Sequence, residues 1–227
     1  SGLYTAGSTE AAFGAKYERY ADALGRHLPS GRVVDVGCAT GLLVRMLRDR
    51  GYDAEGIELN QRSAEWGRAH YGVTIHTKPL EHCPYEPGSL QALTMTDVLE
   101  HTPNPREFLR MAGHLLAPGG IVLVTFPDIR SLESRYYHAL SRLLHRDWLW
   151  GCCHIPKHTW EFTRPTAEAC FNAAGFRVVE MRRGQPSPGA PAESTVLGLM
   201  KIPSRVLCLH PLDRWLGTQM EFVIRRD

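Results

Sequence analysis

Apolar and polar positions along the chain switch between two periods. In residues 9–28, TEAAFGAKYERYADALGRHL, Phe13, Tyr17, Tyr20 and Leu24 recur at intervals of three and four, which predicts an amphipathic helix. The run RVVDVG that begins at Arg32 is apolar on successive positions and reads as a buried strand. The switch then repeats. GLLVRMLRDRG predicts a helix closed by Gly51, YDAEGIEL a strand, QRSAEWGRAHYG a helix closed by Gly72 and VTIHT a strand. YEPGS is a turn, LQALTMTDV a strand, PREFLRMAGHLLAPGG a helix stopped by Pro-Gly-Gly, and IVLVTFP a strand. Strands alternating with helices through short connections make an α/β fold with a parallel sheet covered on both faces. In such a sheet a ligand binds at the carboxyl ends of the strands, where the strand order reverses.

The rhythm changes after Pro127. Residues 130–160 carry no strand pattern and hold Tyr136, Tyr137, Trp148, Trp150 and Trp160, so they are expected to form a helical and aromatic insertion over the strand ends. RPTAEACFNAAGFRVVEMRR restores a helix and a strand. Residues 183–217 contain the Gly/Pro/Ser stretch GQPSPGAPAEST and the apolar PSRVLCLHPLDRWLG, expected as a mobile loop and an extra helix. QMEFVIRR reads as a last strand. The 227 residues suffice for one sizeable domain, so 1–227 is expected to be a single unit.

Composition narrows the function. The net charge of +2 gives no argument for nucleic acid. The charge is uneven, with 12 basic and 14 acidic residues in 1–127 against 14 and 10 in 128–227, which leaves room for an anionic acceptor. No apolar run is long enough to cross a membrane, and SGLYTAGSTE carries no secretory pattern. With Ser1-Gly2 at its head, the chain is not expected to show the natural start. Arg135, Arg142 and Arg146 lie on an apolar helical stretch, where core packing is expected over membrane contact. Cys38, Cys83, Cys152, Cys153, Cys170 and Cys208 show no CxxC spacing, so a reducing cytoplasmic setting is expected. CCHIPKH lacks a second ligand pair, and no zinc site is expected there.

The chemistry concentrates in DVGCATG. Gly37 and Gly41 permit a sharp turn and close approach of a ligand to the backbone. The helix that follows favours an anionic group at its N-terminus. Glu58 ends the next strand and can accept two hydrogen bonds from ribose hydroxyls. Together these imply a nucleoside cofactor. Asp35, directly before the turn, would repel a pyrophosphate and suits a cofactor with an amino group or positive charge.

These motifs resemble the class I S-adenosylmethionine (SAM) dependent methyltransferases. The family's acid-x-Gly-x-Gly-x-Gly turn is matched by DVGCATG, with Ala39 at the middle glycine. GIELN, KPLE, DVLEHTPNP and LAPGGIVLVTFPD resemble further family segments, and PKHTWEFTRPTAEACFNAAGF resembles small-molecule members that include quinone-pathway O-methyltransferases. The resemblance implies a Rossmann-like doubly wound sheet of seven strands, mostly parallel, with an antiparallel last strand inserted between the fifth and sixth. It implies SAM contacts at Asp35, Gly37, Cys38, Ala39, Gly41, Glu58 and Leu59. It also implies contacts at Pro79 and Leu80 along the adenine, at Thr96 and Asp97, and at Tyr17 as a lid. The implied reaction moves the SAM methyl to a small-molecule acceptor, with an oxygen atom expected to receive it, and leaves S-adenosylhomocysteine.

Candidate catalytic groups follow the fourth strand. Asp97, Glu100 and His101 stand at i, i+3 and i+4 and share one face if this stretch is helical. His101 or His158 is expected to take the acceptor's proton, with Asp97 near the cofactor. A divalent ion on Asp97, Glu100 and His101 is considered, and no metal is expected. The rival readings are N-methyl or RNA methyl transfer, a non-catalytic partner of the same fold, and a nicotinamide oxidoreductase, which the glycine spacing and Asp35 oppose.

Overall fold

The strand segments form one seven-stranded sheet in the order β3-β2-β1-β4-β5-β7-β6. The computed structural model describes residues 6–145, 158–184 and 218–227. The elements are α1 (Ala6–His27), β1 (Arg32–Val36), α2 (Leu42–Asp49), β2 (Asp53–Ile57), α3 (Gln61–Tyr71), β3 (Ile75–His76), β4 (Leu90–Thr96), α4 (Pro105–Leu115), β5 (Leu116–Pro127), α5 (Leu132–Leu144), α6 (Arg164–Ala173), β6 (Phe176–Gly184) and β7 (Gln219–Arg226). Strands β1 to β5 pair in parallel. β7 runs antiparallel between β5 and β6. The order reverses between β1 and β4, so the carboxyl ends of those two strands mark the binding crevice.

Alternation along β1 explains the two-sided core. Val33 packs with Tyr20, Leu24, Leu43 and Ala64 of α1, α2 and α3. Val34 and Val36 point the other way and pack with Leu109 and Ala112 of α4 and Ala167 and Phe171 of α6. A strand that buries both faces has no polar phase, which is why the run reads as continuously apolar.

Three boundaries depart from the expected ones. Helix α4 stops at Leu115, and Leu116 already pairs with Leu90 on β4 before a register shift. Pro118 bars Ala117 from helical backbone, and Gly119 turns through φ 73°, so APGG is an irregularity within β5, not a helix stop. β3 shrinks to Ile75–His76, with Val73 buried in the core. β4 ends at Thr96 because Asp97 takes a left-handed φ of 57°. Within the insertion, Ser131 caps α5 by accepting the Ser134 N–H at 3.1 Å. The expected helix at 203–217, the aromatic residues Trp148 and Trp150, and the CCHIPK segment lie outside the described residues. Among the described residues no helix is long and apolar enough to cross a membrane.

Candidate active site

The turn after β1 is held by its own backbone. Gly37 and Cys38 both donate to the Ile57 carbonyl, at 2.8 and 3.0 Å, and Gly41 donates to the Cys38 carbonyl at 2.8 Å. The Ala39 N–H donates to Glu58 Oε2 at 3.0 Å. Gly37 (φ 74°), Ala39 (φ 50°) and Gly41 (φ 78°) all take positive φ. A Cβ on Gly37 would lie 2.5 Å from Val98 Cγ2, so glycine is required there by contact as well as by backbone. The N–H groups of residues 37, 38, 39 and 41 are thus engaged within the protein.

Asp35 lies below the turn on the face that Val33 shares. It is buried and accepts the Thr94 hydroxyl at 2.6 Å. Burial pushes its carboxyl up to about 7, the Thr94 bond opposes this, and the charge of Glu58 adds to it. Cys38 contributes backbone only. Its thiol is buried against Gly56, where a Cβ would come within 3.1 Å of Cys38 Cβ. Glu58, at the end of β2, ties the turn to its own strand by also accepting the Asn60 N–H at 2.7 Å. Leu59 beside it is 64% exposed, an apolar side chain left uncovered at the predicted adenine position. Pro79 precedes a 3-10 turn at Leu80–His82. The Leu80 side chain is buried in the core, so this residue offers its backbone and not its side chain to the crevice.

Across the reversal point stands a polar network that pattern reading did not assign. Lys16 of α1 is buried, and its Nζ lies 3.0 Å from Asp97 Oδ2. Gln219 Nε2 donates to Asp97 Oδ1 and also to Thr125 Oγ1 at 3.3 Å. Tyr20 donates to Gln219 Oε1 at 3.4 Å. Thr96, in register with Thr125, ends the strand beneath. Tyr17 is half-buried and sits in an aromatic ladder on α1, 5.8 Å from Phe13 and 6.1 Å from Tyr20 between ring centroids. Lys16 was findable, since it falls three after Phe13 and four before Tyr20, within the apolar stripe.

A third group lies beyond Asp97. Glu100 is buried, and among the described residues neither carboxylate oxygen has a hydrogen-bond partner. Burial, with the charge of Asp97 adding, pushes its carboxyl up to about 8. The rings of His101 and His158 meet edge-on at 4.7 Å. The ligating atoms of Glu100, His101 and His158 all lie within 4.8 Å of one another. The Glu100 carbonyl accepts the N–H groups of Thr159 and Trp160, at 2.9 and 3.0 Å, which brings His158 to this place from 57 residues away. Glu100, Pro127, Ile129, His158, Trp160 and Phe162 line a hollow. The set Asp97, Glu100 and His101 drawn from spacing does not assemble: Asp97 turns to Lys16, and His158 takes its place.

Comparison with known proteins agrees with this layout. A family model described as a methyltransferase domain matches residues 9–181. The chain belongs to the SAM-dependent methyltransferases. A ubiquinone biosynthesis O-methyltransferase of Burkholderia thailandensis is 30% identical over 166 residues, 69% of this chain and 68% of its own length. The solved structure of a SAM-dependent methyltransferase of Thermotoga maritima, described as a possible histamine N-methyltransferase, superposes with a TM-score of 0.63 at 20% identity, covering 96% of this chain and 93% of that one. A 1,6-didemethyltoxoflavin N1-methyltransferase of Burkholderia thailandensis, solved with its substrate and S-adenosylhomocysteine, superposes with a TM-score of 0.59 at 15% identity, covering 93% and 78%. These two likenesses establish the fold.

The residues of this methyltransferase suit the cofactor. A Cβ at Gly37 or Gly41 would run into Val98 or Val73, so glycine keeps the turn tight, Glu58 presents a carboxylate at the end of β2, and Leu59 offers an uncovered apolar face. SAM supplies an electrophilic methyl on a sulfonium. What the protein must add is alignment of acceptor, methyl carbon and sulfur, with water excluded.

Proposed function

We propose that this methyltransferase moves the SAM methyl to an oxygen of a small-molecule acceptor, with His158 or His101 taking the acceptor's proton. The observation that carries the reading is the convergence of Glu100, His101 and His158 just past β4, beside Asp97. The adenosine end belongs with Glu58 and Leu59 on β2, with Asp35, the turn from Gly37 to Gly41, Pro79 and Leu80 around it. The acceptor end belongs in the hollow walled by Trp160, Phe162 and Ile129. An oxygen acceptor must lose a proton, and an imidazole pair serves that need. The name of the Burkholderia thailandensis relative points the same way. A reducing, cytoplasmic setting fits the free thiols of Cys38, Cys83 and Cys170.

The test is methyl-labelled SAM with a panel of phenols, vicinal diols, carboxylates and amines. Labelled product from the hydroxyl compounds is expected. Product from the amines alone overturns the choice of oxygen. His158→Ala and His101→Ala then separate the two imidazoles. The one that acts as base loses about 10²- to 10⁴-fold in kcat with S-adenosylhomocysteine affinity kept.

The transfer is proposed to need no metal. A second reading has one specific observation behind it: the buried oxygens of Glu100, without a hydrogen-bond partner among the described residues, lie with two imidazoles at ligand spacing. A divalent cation held there would bind paired acceptor oxygens. Calorimetric titration of Mn²⁺ or Zn²⁺ into wild-type and Glu100→Gln protein decides it. Binding lost in the variant supports the metal, and turnover unchanged by chelator rejects it.

A further inference from the structure

The wall expected along the adenine, residues 78–83, is a closed unit. The Pro79 carbonyl accepts the His82 N–H at 2.9 Å, and the Cys83 N–H donates to the Leu80 carbonyl at 3.2 Å. The Cys83 thiol donates back to the Pro79 carbonyl at 3.4 Å. These bonds fix the shape of the unit but not its place on the sheet. Its place is set where it leaves and rejoins the core, at His76, the last residue of β3, and at Tyr85 after the 3-10 turn.

Both of those side chains meet one oxygen. His76 Nε2 lies 3.1 Å from Glu55 Oε2, and the Tyr85 hydroxyl donates to the same Oε2 at 3.1 Å. The other carboxylate oxygen, Oε1, accepts Arg32 Nη2 of β1 at 3.4 Å. The Arg32 guanidinium also lies over the Tyr85 ring, 5.3 Å from its centre, and the rings of His76 and Tyr85 meet edge-on at 5.9 Å. Tyr85 is buried and Glu55 half-buried. Burial opposes the charge on Glu55. The bonds from His76 and Tyr85 and the charge of Arg32 outweigh it and hold the carboxyl below the usual carboxylate range. Glu55 stands three residues before Glu58 on β2, and the Glu58 N–H donates to the His76 carbonyl at 2.9 Å. One strand thus carries both the carboxylate proposed to meet the ribose and the anchor of the wall proposed to meet the base.

We propose that Glu55 is a positioning residue for the cofactor: by gripping His76 and Tyr85 it sets the wall at Pro79 and Leu80 at a fixed distance from Glu58, so that ribose and adenine are received together. Glu55 acts through the wall, and no contact with the ligand is assigned to it. The inference rests on the adenine lying along Pro79 and Leu80.

Cys83 reports the state of the wall, because its thiol is bonded within it. The test measures alkylation of Cys83 by iodoacetamide, located by peptide mass spectrometry, beside calorimetry of S-adenosylhomocysteine. Glu55→Ala is expected to speed Cys83 alkylation several-fold and to weaken S-adenosylhomocysteine about three- to tenfold, the worth of a hydrogen bond. Glu55→Gln, which keeps an acceptor oxygen, recovers part of both. Tyr85→Phe keeps the buried ring and loses one anchor. It gives a smaller change of the same sign and decides the matter should Glu55→Ala not fold. Asp53→Asn, at an exposed acid on the same strand, changes neither readout. A lower urea midpoint with ligand affinity unchanged means that Glu55 only braces the sheet edge, and overturns the proposal. So does faster alkylation with affinity unchanged. In wild type, saturating S-adenosylhomocysteine is expected to slow Cys83 alkylation. Binding without that protection is a different result, which takes the adenine away from this wall and the proposal with it.

Discussion

At the residue scale, Glu58 carries two tasks. It accepts the Ala39 and Asn60 N–H groups, and its remaining lone pairs are proposed to meet the ribose. Glu58→Gln keeps the shape and loses the charge, so S-adenosylhomocysteine should bind about tenfold or more weakly, read by calorimetry. Gly37 is constrained twice, by φ 74° and by Val98, whereas Gly88 has φ 71° and open space around it. Gly37→Ala should therefore cost about 1–3 kcal/mol of stability and exceed Gly88→Ala, compared by urea midpoints. The reverse order would mean that Val98 yields freely. Residue identity alone announced Asp35, Gly37, Gly41 and Glu58, because their chemistry depends on local spacing. Lys16 and Gln219 were not announced. Their roles arise from contacts across 81 residues for Lys16 with Asp97 and 122 for Gln219 with Asp97, and local pattern holds no such information.

At the element scale, the switch from period 3.6 to period 2 located the described strands and helices, and β7 falls at Gln219–Arg226 where its sequence pattern placed it. Two of the three misplaced boundaries involve backbone that pattern treats as silent: the irregularity at APGG and the left-handed Asp97. The packing of β1 between two helical layers also governs pH behaviour. It holds the Asp35 carboxyl up to about 7, against about 4 in an unfolded chain. Between these values the native state keeps a proton that the unfolded chain has lost, so stability from this group is full below about 4 and falls as pH rises through about 7. Asp35→Asn should flatten the urea midpoint between pH 5 and 8. An unchanged slope would assign the dependence elsewhere. A cationic cofactor favours ionised Asp35, so SAM binding to wild type near pH 7 should release a proton, seen as buffer-dependent heat, and the variant should not.

At the scale of the whole molecule, one edge of one sheet gathers three charge environments, which the proposed function assigns to SAM and its acceptor. On the proposed reading the carboxylate on β2 receives the nucleoside; the Lys16–Asp97 pair lies past β4, and the imidazoles with Glu100 stand beside the hollow. A parallel sheet covered on both faces was legible because alternation of strand and helix admits few topologies, and the seven-strand order with its inserted antiparallel strand came with the family resemblance. The acceptor was not legible, since the hollow proposed for it is shaped by Trp160, Phe162 and the far ends of separate segments. The most direct measurement is calorimetric titration of SAM, S-adenosylhomocysteine and NADH, each into the purified protein. Micromolar binding of the first two, about −8 kcal/mol, with no heat from NADH, is the predicted result. No binding of either SAM-derived ligand would contradict it and leave the glycine turn as a purely structural link between β1 and α2.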